Sequence, residues 1–253
     1  SANGVRWAVV RSVKFTDGLS APWQGLGWLV STPSAWGVAL VPMVVFTALV
    51  SAGSYGGVTL VEHLLSPYLA QGHPQGWVVL LYVVRVLGWL AALTVAVLAA
   101  LTLAQPLSGP ALESLARKQG LAIGAAPLPE TGFVTGLFRS LRVTMFGLAV
   151  TVPIVVVLTI LEIVFPVLAL VTVPLKFLVT ALMVAWDLLD YPLSLRAVGV
   201  RARIDFISRH FGAALGFGIS VALIGLVPCA GLLFLPAGVA GATRLVALLE
   251  RNE

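Results

Sequence analysis

Long apolar runs alternate with short polar segments along the 253 residues of this chain. The first apolar run extends from Trp36 to about Val58, and the second from Trp77 to Ala104. Each is long enough for the roughly 20 residues that a helix needs to cross a bilayer. We therefore predict two long transmembrane helices within residues 36–104, the second of which must tilt or extend beyond the lipid.

Two further apolar regions, 143–187 and 212–249, are each interrupted by proline and flanked by charge at both ends. In the later region, residues 212–227 give roughly 24 Å of helix, whereas the hydrocarbon core is about 30 Å thick. We predict a re-entrant, hemi-penetrating helical hairpin that turns inside the membrane at Pro228 and Pro236. Such a turn needs cover from protein or a water-filled cavity.

The earlier region, 143–187, allows two interpretations. A second hairpin with turns at Pro166 and Pro174 is favoured, but two full spans that leave the membrane near Glu162 fit the same residues. One carboxylate is weak support for a loop in water. Both interpretations return the chain to the side from which it started.

Residues 197–211, between the two apolar regions, have the pattern of an amphipathic interfacial helix. Apolar side chains recur there at helical intervals, at Val200, Ile204, Ile207 and Phe211. The opposite face carries Arg201, Asp205 and Ser208. With residues 1–35 as an N-terminal interfacial segment, we predict that residues 1–253 form a single membrane domain.

Composition supports an all-α integral membrane protein. Apolar residues make up 59% of the chain and charged residues only 10%, and the mean hydropathy is +1.04. A soluble domain is about half apolar and a quarter charged. The net charge of +5 does not indicate nucleic acid, because no basic block with interleaved aromatic residues is present.

The distribution of basic residues predicts the orientation. Arg6, Arg11 and Lys14 precede the first span, whereas the connecting segment 59–76 contains no Lys or Arg. Four basic residues follow the second span, at Arg117, Lys118, Arg139 and Arg142. By the positive-inside rule, we expect a cytoplasmic N-terminus in a multi-pass protein of the bacterial inner membrane.

The chain carries no pattern that is typical of an enzyme. We find no phosphate-binding glycine loop, no paired catalytic carboxylates and no Ser/His/Asp arrangement. With one cysteine and three histidines, no metal-ligand spacing exists. We therefore predict neither catalytic residues nor a metal or cofactor.

Several cations are candidate anion contacts. Arg85 lies inside the second span, where we expect it to snorkel to the outer interface or, alternatively, to face a bundle interior. Arg196 and Arg201 belong to a possible basic vestibule around the amphipathic segment, although surface ion pairs with Asp205 are the simpler interpretation. The full set of possible anion-binding residues is Ser34, Arg85, Arg139, Arg142, Arg196 and Arg201.

Acidic residues near these cations need partners. Asp187 and Asp190 end an apolar limb, where a negative charge opposes the helix dipole, so we expect them to pair with Arg196 or Lys176. A further ion pair with i,i+4 spacing is expected on a short helix, between Glu113 and Arg117.

An ordered set of short motifs resembles the CysZ/EI24 family of bacterial membrane proteins. Near the C-terminus the motifs are Asp190-Tyr191-Pro192-Leu193, Leu215-Gly216-Phe217-Gly218, Val227-Pro228, Leu235-Pro236 and Gly241-Ala242-Thr243. An earlier motif, Pro106-Leu107-Ser108-Gly109-Pro110, is similar to the family's segment after its second long helix. The resemblance implies sulfate uptake for cysteine synthesis, two long transmembrane helices with two hemi-penetrating hairpins, and oligomeric assembly.

This chain departs from the resemblance at one functional motif. Sulfate-handling members resemble one another in a Pro-Gly-Leu-Arg stretch before the first long helix, where arginine and backbone N–H groups hold the anion. Here the corresponding stretch is Thr32-Pro33-Ser34-Ala35-Trp36, which keeps the proline and lacks the arginine. Backbone donors at a helix N-terminus and the hydroxyl of Ser34 can still meet an oxyanion.

We therefore predict a membrane permease or channel for a small oxyanion, with sulfate first, that works as a homo-oligomer in the lipid bilayer. The alternative is a structural or scaffolding protein whose hairpins wedge into one leaflet without transport.

Overall fold

The computed structural model describes residues 13–69, 74–125, 133–196, 198–227 and 230–251. Within these residues every regular element is helical, as predicted. The first five helices are α1 (Phe15–Ser31), α2 (Pro33–Ala39), α3 (Val41–Leu69), α4 (Gln75–Leu107) and α5 (Gly109–Ala122). The remaining five are α6 (Phe133–Val164), α7 (Ala169–Leu195), α8 (Val200–Arg209), α9 (Phe211–Gly225) and α10 (Ala230–Glu250).

Among the described residues, five helical segments are long and apolar enough to cross a membrane, by length and composition. They correspond to α2 with α3, α4, the apolar part of α6, α7 with the turn before it, and α10. The prediction of a multi-pass helical membrane protein is therefore confirmed.

One compact unit, Leu40–Gly109, contains α3 and α4. The two helices pack antiparallel through small residues, since Gly53 lies against Ala96 and Gly57 against Ala92. At 29 and 33 residues, they are roughly 44 and 50 Å long and exceed the hydrocarbon core. The predicted connecting segment, 59–76, was too long, because α3 continues as a helix to Leu69.

The other compact unit contains the remaining helices. Its buried core combines the second half of α7 with α5, α9 and α10, and its largest fully buried side chains include Leu112, Leu189, Phe217 and Leu245. The helix α1 completes this core and packs against α9 and α10. The N-terminal segment that the sequence predicted to be interfacial thus contributes a helix to the core, whereas residues 1–12 lie outside the described part.

Glycine lets α1 approach its two neighbours backbone to backbone. A Cβ at Gly25 would meet the backbone of Ala237 and Gly241, and a Cβ at Gly241 would meet the backbone of Ala21. As a result, 72% of the apolar window of α10 is buried, against 11–17% in the other four candidate spans. The last helix is therefore enclosed by protein, whereas the others present apolar surface outward.

The two proline-containing hairpins differ from the prediction in where they turn. The break between α6 and α7 is at Phe165–Leu168 and includes Pro166 in a short 3-10 turn. The predicted turns at Pro174 and Pro236 were wrong, since these residues lie inside α7 and α10. Proline is tolerated within apolar helices where neighbouring helices and local adjustments satisfy the freed carbonyl.

The two helices of the second hairpin, α9 and α10, also differ in length from the prediction. The helix α9 has 15 residues, roughly 22 Å, but α10 begins at Ala230 and has 21 residues, roughly 31 Å. Only α9 is therefore too short for a full crossing. The predicted turn residue Pro228 lies outside the described residues.

The amphipathic segment forms α8, which meets α9 at an angle of 92°. Ile207 is buried, whereas Arg201, Asp205 and Ser208 are exposed. Because of this bend, the axes of α8 and of the apolar helix α9 are nearly perpendicular.

The close packing of α1 predicts the effect of adding one methyl group. Gly25→Ala should lower the free energy of unfolding by about 1–3 kcal/mol, because its Cβ would overlap backbone that cannot rotate away. Gly27→Ala is the matched control on the same helix, since its Cβ would have no neighbour within 4 Å. We expect it to be neutral or to stabilise by up to about 1 kcal/mol.

Unfolding of the purified protein in detergent, followed by circular dichroism, measures the difference. Equal unfolding midpoints for the two variants would contradict the packing of α1 against α10.

Candidate functional site

Arg85 is held by a carboxylate within the α3 and α4 pair. Its Nε and Nη2 atoms donate to the two carboxylate oxygens of Glu62, each at 2.7 Å. Trp89 Nε1 donates to the same carboxylate at 2.9 Å, and its ring lies 4.8 Å from the guanidinium. The charge of Arg85 is therefore balanced, and a second anion would have to replace Glu62.

Arg203 and Asp190 form a buried ion pair between α8 and α7. Arg203 is 3% exposed and Asp190 is 7% exposed. Ser194 donates to Asp190 Oδ1 at 2.9 Å and accepts a hydrogen bond from Arg203 Nη2 at 3.1 Å. The expectation that Asp190 pairs with Arg196 or Lys176 was wrong, because Arg203 reaches it from the amphipathic helix.

The two expected partners pair with glutamates instead. Lys176 pairs with Glu162 across the hairpin of α6 and α7. Arg196 lies 2.5 Å from Glu250 of α10 and also donates to the carbonyl oxygen of Pro192 at 2.8 Å. These contacts hold the two ends of α7 to their neighbours.

Asp187 differs from the other acidic residues. Its Oδ1 atom is buried without a hydrogen-bond partner among the described residues, so the expected ion pair is not formed. The carboxylate lies close to Gly147 of α6. Trp186, its neighbour in sequence, also has a buried indole nitrogen without a hydrogen-bond partner in the described part of the chain.

Two candidate cations remain available. Arg142 of α6 and Arg201 of α8 are exposed, and no ion pair to either is found among the described residues. The side chain of Arg139 lies outside the described part. In α5, Glu113 and Arg117 form the i,i+4 ion pair at 3.6 Å, with Glu113 buried.

Lys118 is a residue that sequence reasoning missed as part of a site. Its Nζ atom, in α5, donates to the backbone carbonyl oxygen of Ser34 at 2.9 Å. Ser34 is exposed in α2, which is only seven residues long. Because 84 residues separate the two, no local sequence signal reports the contact. An ammonium group therefore lies at the segment that the sequence singled out for anion binding.

The predicted site residues belong to several different helices. Ser34 belongs to α2, Arg85 to α4, Arg142 to α6, Arg196 to the end of α7 and Arg201 to α8. Among them, Arg85 and Arg196 are bound to carboxylates, whereas Arg142 and Arg201 are not. Of the predicted cations whose side chains the structure describes, Arg142 and Arg201 therefore remain without a carboxylate, and Lys118 is added to them.

Long apolar helices joined by charge pairs place this chain among polytopic α-helical membrane proteins. The EI24 family model, described as "Sulfate transporter CysZ/Etoposide-induced protein 2.4", matches residues 21–236. The chain belongs to this family, which confirms the resemblance found in the sequence. It is also 27% identical over 231 residues to the "Sulfate transporter CysZ" of Pectobacterium atrosepticum, an alignment that covers 89% of this chain and 83% of that relative.

The buried and the exposed ion pairs predict different effects on stability. Asp190→Asn should lower the free energy of unfolding by about 3–5 kcal/mol, because it leaves Arg203 charged and buried without its partner. Asp205→Asn is the matched control, since Asp205 and Arg209 form an i,i+4 pair whose side chains are 57% and 62% exposed. This change should cost no more than about 1 kcal/mol.

Thermal unfolding in detergent compares the two variants. The double variant Asp190→Leu with Arg203→Met should recover much of the loss, since it removes both charges together. A double variant less stable than Asp190→Asn would show that the pair itself, not the unpaired arginine, sets the cost.

Proposed function

We propose that this chain forms a path across the bacterial inner membrane for a small oxyanion, with sulfate as the first candidate, and that it is not an enzyme. The observation that carries the proposal is its membership of a family described by a sulfate transporter, together with a relative of that name along most of its length. The exposed cations and the apolar helices are consistent with this function. Anion pathways use fixed positive groups that replace water without binding the ion too tightly to release it.

Ser34 and Lys118 are the first contact that we propose for the anion. The family's arginine is absent beside Pro33, but Lys118 brings an ammonium group to the neighbouring carbonyl. An ammonium has three donors, of which the Ser34 carbonyl uses one. It lacks the planar fork of arginine, so binding should be weaker and less selective for two oxygens at once.

Other cations have secondary parts in this proposal. Arg142 and Arg201, with Arg139 on the same helix as Arg142, would raise the local concentration of anions near the membrane surface. Arg85 and Arg196 would contact an anion only by releasing Glu62 and Glu250, so we assign them a structural role first.

We further propose that α3 and α4 are the two transmembrane helices and that the other two helix pairs are re-entrant hairpins. The tip of α6 and α7 supports this arrangement, since Val167 is 80% exposed and Leu170 is 82% exposed. No charged residue lies between Glu162 and Lys176. An exposed tip of this kind is stable in hydrocarbon and unfavourable in water, so a tilted hairpin with its tip inside the bilayer fits best.

Homo-oligomerisation is also part of the proposal. The side chains of Arg85 and Glu62 remain 27% and 34% exposed on helices long and apolar enough to span the membrane. Charged groups in such segments usually face protein or a water-filled cavity. A second copy of the chain would provide this shielding.

The scaffolding function remains a second candidate because of two observations. Arg85 and Arg196 are already neutralised, which removes two expected anion contacts. The apolar hairpin tip is also suited to displacing lipid from one leaflet without a hydrophilic path.

Sulfate uptake into proteoliposomes tests transport and the role of Lys118. We expect saturable uptake of radiolabelled sulfate that unlabelled oxyanions compete away. Lys118→Gln should raise the half-saturating concentration about tenfold, which corresponds to 1.4 kcal/mol. Lys118→Arg should retain uptake because it keeps the charge, and Lys14→Gln is the control for a lysine that lies away from Ser34.

The outcomes separate the hypotheses. No uptake from folded, inserted protein would overturn transport and favour the scaffold. Uptake that is identical in the Lys118→Gln variant and the original protein would keep transport and remove Lys118 from the path.

Thiol labelling tests the hairpin of α6 and α7. In a Cys229→Ser background, Val167→Cys should resist a membrane-impermeant maleimide both in intact cells and after permeabilisation, because the tip lies in lipid. Ser66→Cys, near the end of α3, should react in intact cells, and Ser208→Cys only after permeabilisation. Reaction of Val167→Cys in intact cells would instead favour two full spans.

A further inference from the structure

Four helices of the larger unit enclose an apolar groove. The helices α6, α7, α8 and α9 line a cavity of about 430 Å³. Its walls include Phe146, Val150, Leu182, Met183, Ile207 and Phe211. Val150 and Phe211 are each 49% exposed, so the cavity is open along its side. An apolar cavity offers water few hydrogen bonds, and hydrocarbon is its natural filling.

The groove lies beside the amphipathic helix α8, whose pattern is that of an interfacial helix. Ile204 and Ile207 of α8 line the cavity, whereas Arg201 and Asp205 of the same helix are exposed. The cavity-lining residues of α6 lie between Phe146 and Ile154, in the middle of this helix. A groove that runs from an interfacial helix to the middle of an apolar helix has a shape that suits an acyl chain.

Two unpaired cations lie next to this groove. Arg142 precedes Phe146 by one helical turn on the same face of α6, a rise of roughly 6 Å. Arg201 lies on the same face of α8 as Ser208, which lines the cavity. Both arginines are exposed, and the described residues form no ion pair with either one.

Two of the nearby carboxylates are already paired, and a third is buried at the wall of the groove. Asp205 pairs with Arg209, and Asp190 pairs with Arg203. Asp187 has a buried carboxylate oxygen next to Gly147, which lines the groove. Trp186, which lines the groove, has a buried indole N–H without an acceptor among the described residues. The groove thus combines apolar walls with a positive rim.

We propose that this groove binds one anionic phospholipid, with an acyl chain in the cavity and the phosphate between Arg142 and Arg201. Basic pockets between membrane helices at the surface of the bilayer recognise acidic headgroups by this combination of charge and apolar depth. The site uses Arg142 and Arg201, which have only a secondary part in the proposed transport, and it does not need Ser34 or Lys118.

Native mass spectrometry of the full chain in detergent tests the proposal. The probes are phosphatidylglycerol and phosphatidylcholine with identical acyl chains. We expect at least tenfold tighter retention of phosphatidylglycerol. Arg142→Gln and Arg201→Gln should each lower this preference severalfold, whereas Arg244→Gln, which removes an exposed arginine from α10 outside the groove, should leave it unchanged.

A second variant tests the acyl chain separately from the charge. Val150→Trp fills the groove from an exposed wall position and should reduce retention of both lipids. If this variant is less stable without lipid, Ile154→Trp replaces it, and the arginine variants test the site in either case. Each variant is first shown to be monodisperse with an unchanged unfolding midpoint.

Three results would overturn the proposal. The first is equal retention of the two lipids by the original protein. The second is an unchanged preference in both arginine variants. The third is displacement of phosphatidylglycerol by millimolar inorganic sulfate or phosphate with no effect of Val150→Trp, which would assign the cations to a free oxyanion.

Discussion

The need to pair charge in an apolar environment is the constraint on which this structure depends. A bilayer core has no water to solvate an ion, so an ionised side chain in a membrane helix needs an opposite charge nearby. Three pairs meet this need: Glu62 with Arg85, Glu162 with Lys176, and Asp190 with Arg203. Each joins two different helices, and so each fixes which helices are neighbours. The same pairing decides which cations remain for a ligand.

Close backbone packing is the second feature on which the structure depends. It surrounds the short helix α9 with other helices. A helix of 15 residues is too short to cross the hydrocarbon core of a bilayer. The chain instead packs α1 and α10 against α9, with Gly18, Gly25 and Gly241 at positions where a side chain would overlap backbone. These contacts bury α10 almost entirely within protein. The pair of α9 and α10 contains the short helix α9, and its longer helix, α10, packs against protein along most of its length.

Much of the fold follows from local sequence, because length and composition act locally. The apolar runs give α3 and α4, and helical periodicity gives α8. The ends of these elements depend on partners that are distant in sequence. Residues 59–69 look like a loop because they contain Glu62, yet Arg85 neutralises that carboxylate and α3 continues. Pro174 and Pro236 look like turns, but their neighbours tolerate them inside helices.

In the candidate site, too, local sequence predicts some contacts but not others. The pair of Glu113 and Arg117 can be read from its i,i+4 spacing. The partner of Asp190 could not be chosen among several arginines, because the bend before α9 decides which arginine reaches it. The contact of Lys118 with Ser34 spans 84 residues. Distant pairs of this kind require the fold, since no periodicity relates their positions.

The cations of this chain differ in whether a carboxylate already neutralises them. A bidentate carboxylate already occupies Arg85, and a permeant anion would have to compete with it inside a helix pair. Lys118 is held by one neutral carbonyl and keeps donors for a ligand. A pathway needs weak, exchangeable contacts, which a lysine of this kind supplies better than an arginine that is closed by glutamate. Arg142 and Arg201 lie beside apolar walls instead, where an anion with an acyl chain gains from both the charge and the groove. These cations are therefore of two kinds: Lys118 lies beside a backbone carbonyl, whereas Arg142 and Arg201 lie near an apolar groove.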